Sequence, residues 1–268
     1  MTLPPRVELK RITFASGVGG SALMTFAHPA PAHAAMAPLE PDSPPAGRDT
    51  LDIAALESAP KDRPEARAEL HAWVSADAPA DSTLLTTLHG AQIAWRPGRA
   101  SILAASDRIQ PLLLALVEFG FYEGELRKLE EETDGAWADL ESDTPLAYDV
   151  TPDDLERHEQ FGRRMERTLK RRIRFARIET PLCETRPGLG ASAADLGDRL
   201  REKARIETRM ETLDGHLEVF EHIYEMAGQR IGETRASRKE QKLEWLIIVL
   251  LGIEVLMLLL DLLWTLEV

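Results

Sequence analysis

The chain has 268 residues, 29% of them charged, with a formal net charge of -13 and a single cysteine. That length holds one medium domain or two small ones, and the acidic surface excludes bulk nucleic-acid binding as a whole-protein property, leaving only a local basic face for that role. The lone thiol of Cys183 excludes an intrachain disulfide and any cysteine-rich metal centre, and Thr180-Pro181 before it with Arg186-Pro187-Gly188 after it predict a turn.

At the start, Arg6, Lys10 and Arg11 precede a mildly apolar stretch from Ile12 to Ala27, and Ala32-His33-Ala34 has the small residues of a cleavage site. Gly17, Gly19 and Gly20 dilute the apolar stretch, so a cleaved signal, an organelle transit segment and a mis-assigned start all fit. Ala37 to Arg48, with Pro38, Pro41, Pro44 and Pro45, reads as a linker. Residues 1–48 are therefore expected to be a disordered leader and Pro-rich linker.

Residues 49–148 read as a small α/β region. Leu70–Val74, Leu84–Leu88, Gln92–Trp95 and Ser101–Ala104 are short β-leaning pieces, and Arg96-Pro97-Gly98-Arg99 between the last two predicts a hairpin turn. A small, mostly antiparallel sheet results. Ser106-Asp107 opens a long covering helix in which Ile109, Leu113, Leu116, Glu123, Leu126 and Leu129 recur at helical spacing. Its acids Glu123, Glu125, Glu130, Glu131 and Glu132 lack nearby His or Cys partners and read as a solvated face.

Residues 149–242 read as a helical, coiled-coil region. Thr151-Pro152-Asp153-Asp154 has the cap, the N1 proline and the acids of a helix start, and the helix runs to about Ile178. Arg163, Arg164, Arg167, Lys170, Arg171 and Arg174 give it a basic interaction face, for which three readings fit: pairing with the acidic helices, contact with anionic lipid headgroups, or contact with RNA. Ser192 caps a second helix beginning near Ala193, and within that one helix Ile206, Met210, Leu213, Leu217, Phe220, Tyr224, Ala227 and Ile231 repeat as a heptad seam. That seam predicts either an antiparallel hairpin with the preceding helix or an oligomeric coil. His216 and His222 do not share a face, and there is no phosphate loop, nucleophile elbow or His-Glu-x-x-His. No catalytic, cofactor-binding or metal site is expected, and the protein reads as a non-enzyme.

The closing segment, 243–266, is the most apolar. About 20 residues from Trp245 to Leu266 at 1.5 Å each match a hydrocarbon layer of roughly 30 Å, with Trp245 and Trp264 at the two interfaces. Glu254 and Asp261, seven apart, share one helical face; they fit either a proton or ion relay or an oligomer contact. The basic cluster Arg230, Arg235, Arg238, Lys239 and Lys242 ahead of the run predicts a single-pass, tail-anchored membrane protein with its body on the cytoplasmic side, and disfavours export.

The ending from Lys242 through Leu243-Glu244-Trp245, the aliphatic run and Ile253-Glu254-Val255 resembles the closing signature of the required for meiotic nuclear division family, in its bacterial form. Phe121 to Leu129 resembles the corresponding helix of bacterial members, and the likeness covers about Leu84 to the end. The resemblance marks Glu244 and Glu254 as family-type residues. It implies an oligomeric, membrane-associated role, since the mitochondrial relatives are inner-membrane proteins supporting organellar translation. The expected whole is an α+β protein running through helical coils into one transmembrane helix. It would be a scaffold that oligomerises by its C-terminal helices and recruits a partner, possible partners including RNA or a ribosome. The alternative is a membrane enzyme or transport component using Glu254 and Asp261.

Overall fold

A computed structural model describes residues 3–4, 6–17, 22–40, 47–57, 64–76, 82–151 and 158–266, with backbone alone at 158 and over 258–266. The chain divides into two compact units, residues 1–135 with 170–217 and residues 136–169 with 218–268.

The first unit is built on a seven-stranded mixed sheet in the order β2-β3-β1-β4-β7-β6-β5. The strands are β1 (Glu8–Ser16), β2 (Met24–Phe26), β3 (Ala32–Pro38), β4 (Thr50–Glu57), β5 (Leu84–Leu88), β6 (Ala91–Arg96) and β7 (Arg99–Ala104). The neighbours β4 and β7 run parallel, and every other pair is antiparallel. Two turns fix the β5-β6-β7 meander. His89 and Gly90 both take positive φ (47° and 81°), the requirement of a two-residue hairpin turn, and Pro97-Gly98 closes the next with Gly98 at φ 79°.

This sheet corrects two expectations. It is large rather than small, and mixed through its one parallel pair although mostly antiparallel, because residues assigned to a disordered leader supply three of its strands. β1 pairs with β4 from Glu8↔Ala55 to Thr13↔Thr50, so the start of the chain lies inside the sheet. Ala34, the candidate cleavage position, is fully buried within β3. Ile12 is buried, Thr13 exposed and Phe14 half-buried, a short alternation that the basic-plus-apolar reading passed over.

Each face of the sheet has its own cover. Helix α1 (Pro64–Ser75) places Ala66 and Leu70 on Ala54, Leu56 and Leu103. Leu70–Val74 is thus helical, not a strand. On the other face, α2 (Ser106–Asp134) packs Leu112, Leu113, Leu116 and Leu126 in the cluster that holds Ile12, Leu51, Ile53, Ile93 and Ile102. Coverage on both sides explains why β4 is buried from Leu51 to Leu56. Phe26 stacks on Phe121 with ring centroids 3.8 Å apart, anchoring the edge strand β2 to α2.

One further helix and parts of two longer ones complete this unit. α4 (His158–Cys183) contributes Phe175, Ile178 and Leu182, α5 (Ala191–Lys203) contributes Leu196 and Leu200, and α6 (Ile206–Leu266) contributes Ile206, Met210, Leu213 and Leu217. Helix α4 runs through Thr180-Pro181 to Cys183, where a turn was expected, and the predicted start at 152–154 lies outside the described residues. α5 and α6 are separate helices. Ala204 caps α5 and Arg205 takes φ 52°, the left-handed conformation that ends a helix and lets the chain turn into the next. Gly197 on α5 sits where a Cβ would meet the Thr185 hydroxyl, so any larger residue would force that side chain to move.

In the second unit, α3 (Trp137–Asp143) and the 3-10 turn Thr144–Ala147 pack Leu140 and Ala147 against Phe161 of α4 and Phe220, Tyr224, Ala227 and Ile231 of α6. The heptad seam from Ile206 to Ile231 is therefore buried within the chain's own two cores and is not available for an oligomeric coil.

The expected transmembrane helix is also corrected. Among the described residues no helix is long and apolar enough to cross a membrane. The apolar run with described side chains, Leu243–Met257, carries Glu244 and Glu254. Two carboxylates within such a run are each costly in hydrocarbon. The single-pass tail anchor and the cytoplasmic placement derived from it do not stand.

Candidate functional site

Of the acids expected on a solvated face of α2, Glu131 and Glu132 are exposed and Glu130 is half-buried, but Glu123 and Glu125 are buried. Glu123 is 3% exposed and holds both Arg127 of its own helix and Arg209 of α6, the latter at 3.1 Å. Arg209 also grips Glu130 through two bonds, Nε to Oε1 at 2.8 Å and Nη2 to Oε2 at 2.6 Å. Burial works to lower the Arg209 pKa, but the bonds to Glu130 and the charge of Glu123 outweigh it, and the net direction is up. Lys128 bridges Asp49 at 2.6 Å and Glu125 at 2.7 Å. Buried charges persist when they are paired in this way.

A smaller cluster lies near the end of α4. The Glu118 carboxyl is raised by burial, and the Arg186 backbone N–H, 3.2 Å away, with its guanidinium partly offsets this. Arg201 donates to Thr185 at 2.7 Å and to Asp198 at 2.6 Å. Beside it an open groove of about 490 Å³ is lined by Cys183, Asp198, Arg201, Glu202, Arg205 and Glu207, among others. The Cys183 thiol is pushed up by burial and by Glu179, away from a reactive thiolate. The lining pairs no nucleophile with a base.

The basic residues of α4 are largely committed to internal partners. Arg163 bonds Glu159 at 3.2 Å, and Arg164 bonds Asp143 at 2.6 Å and Asp139 at 2.9 Å. Arg174 reaches Glu132 at 2.8 Å and Glu125 at 3.5 Å, Arg172 pairs with Asp214, and Lys170 and Arg171 are also engaged. Arg167 is exposed and has no ion-pair partner among the described residues. Arg164, Arg172 and Arg174 thus pair with acids of the same chain, while Arg163, Arg167 and Lys170 are exposed.

In the second unit, Tyr224 donates its hydroxyl to Asp143 at 3.3 Å. Burial first, then the Asp143 charge, pushes the phenol up to about 12. Because the folded pKa lies above the unfolded value of about 10, the neutral phenol's contribution is complete below pH 10 and is lost as the pH rises through 12. The phenolate absorbance of Tyr224, isolated as the difference between the parent and Tyr224→Phe, is expected to rise near pH 12. A rise near pH 10 in the folded protein would show that the phenol is not held by Asp143.

The residues marked for a membrane motif lie along the last part of α6. Glu244 and Glu254 are exposed, Trp245 is 62% exposed, and Asp261 is described only as backbone within the helix. A relay through Glu254 and Asp261 required the span that the fold does not supply. No group of three or more His, Cys, Asp or Glu residues able to hold a metal occurs among the described residues. What stands out along α6 is chemically plain: from Leu243 to Met257, twelve large apolar side chains are each between 52% and 65% exposed.

No family model matches the chain, and no curated protein matches it.

Proposed function

We propose that the protein is a non-enzymatic scaffold that self-associates through the C-terminal part of α6 and presents its folded units to a protein partner. The observation that carries this reading is the exposed run Leu243–Met257. Twelve apolar side chains at roughly 100 Å² each exceed the ~800 Å² per partner that a stable interface buries, and the few hundred Å² that single chains leave uncovered. In water such a helix gains by meeting others of its kind.

Two observations support the rest. The internal pairing of Arg164, Arg172 and Arg174 weighs against an RNA-binding face on α4, so the recruited partner is a protein. The resemblance of Lys242–Val255 to the closing motif of the required for meiotic nuclear division family, whose mitochondrial members act as oligomers, supports self-association.

Light scattering on the full-length protein, over a concentration series, is expected to give a mass that is a whole multiple of the 29.8 kDa chain. A mass of one chain at every concentration overturns the reading.

A further inference from the structure

The face of the sheet that lies under α1 carries two polar side chains where their neighbours are apolar. Leu56 of β4 stands beside Leu103 of β7, and Leu103 stands beside Gln92 of β6, so Gln92 takes the third place in a row whose other two members are buried core. In the next row Ser101 of β7 lies between Ala54 and Ala94. The period of two along each strand puts both rows on the same face. Gln92 is 8% exposed and Ser101 is 3% exposed.

A leucine in the place of Gln92 would continue the apolar row, whereas an amide brings a donor and an acceptor that must be satisfied. The buried Oε1 of Gln92 has no hydrogen-bond partner among the described residues. Gln92 lines a cavity of about 10 Å³ together with Ser101 of the sheet and with Arg67 and His71, one turn apart on α1. Leu70 and Leu103 are among its apolar walls. His71 spends one ring nitrogen on the Ser75 hydroxyl, 3.4 Å away, which leaves the other.

Volume and chemistry together select the occupant. About 10 Å³ is the room that one water needs, and a buried water is held by several polar partners. Chloride has no proton to give to Oε1, and a metal cation would share the cavity with the Arg67 guanidinium, which is always charged. Water donates to an amide oxygen and accepts from a cation or a hydroxyl at the same time.

We infer that one ordered water is a structural ligand of this protein, bound between α1 and the sheet by Gln92 Oε1 with Ser101, His71 and Arg67 as its further partners. It joins the polar rim of α1 to the floor of the sheet, beside the contact that Ala66 and Leu70 make through apolar packing. The cavity lies within the first unit, so the inference does not depend on the self-association proposed above.

High-resolution crystal structures of the full-length protein and of Gln92→Leu test it, with further parent crystals grown in bromide and in rubidium. The parent is expected to show a density peak about 2.8 Å from Gln92 Oε1, with no anomalous signal there from either ion. Gln92→Leu is expected to keep the fold and lose the peak. An empty cavity in the parent, an anomalous peak in it, or a direct bond from Oε1 to a protein donor overturns the water site. A peak that persists in Gln92→Leu overturns the assignment to Gln92.

Discussion

Replacing Arg209 with alanine is expected to cost about 1.5–3 kcal/mol of folding stability, the scale of hydrogen bonds to charged groups. Glu123, at 3% exposure, keeps Arg127, but Glu130 loses both of its bonds to the guanidinium and the tie between α6 and α2 is cut. Arg209→Lys keeps the charge but presents a single ammonium in place of a fork, so it cannot bond Glu130 twice while holding Glu123. Its expected loss is smaller than that of alanine. Denaturant unfolding followed by circular dichroism measures both. A loss under about 1 kcal/mol for Arg209→Ala would mean that the cluster behaves as a surface ion pair.

The second large effect is expected at Phe220, which is fully buried in the core of the second unit and meets Trp137 edge-on with ring centroids 4.9 Å apart. Phe220→Ala removes that contact and leaves a cavity, with an expected loss of about 3–5 kcal/mol. Phe220→Leu fills most of the volume and should lose less. Thermal denaturation ranks the two, and equal melting temperatures for alanine and parent would show that this core is not what holds the unit together. Because Phe220 belongs to the seam buried inside the chain, the variant should leave the copy number unchanged as long as the protein is folded.

The parts of the fold legible in the sequence were those governed by local chemistry. Leu84–Leu88 and the hairpin around Pro97-Gly98 stand where turn residues and alternation placed them, since the turn fixes the register by itself. The first three strands were missed because prolines and glycines among them carry the signature of a leader. Only pairing with β4, which comes later in the chain, makes them a sheet. Leu70–Val74 was misread because a five-residue window, about one and a half turns of helix, cannot separate a helix stripe from a strand.

The buried carboxylates left a signal that was visible but not used. Glu123 occupies a place in the same stripe as Leu116, Leu126 and Leu129, where an apolar residue belongs. An acid in such a position asks for a buried cation, and Arg209 is that cation, although no spacing in the sequence connects residues so far apart. The end of α6 shows the opposite limit. Its greasiness was plain, and a membrane was the wrong cover to infer from it, because apolarity states that a surface needs company without stating which.

The placement of β1 has a practical consequence for anyone shortening the protein. Removing residues 1–48 as a dispensable leader would strip β1, β2 and β3 from the sheet and turn β4 into an edge strand, still paired with β7 but with the backbone groups it gave to β1 left open. A long apolar strand with open hydrogen-bonding groups is a template for joining another chain. The trimmed protein would then cluster through its sheet, and that clumping could be mistaken for the assembly that belongs to the far end of the chain.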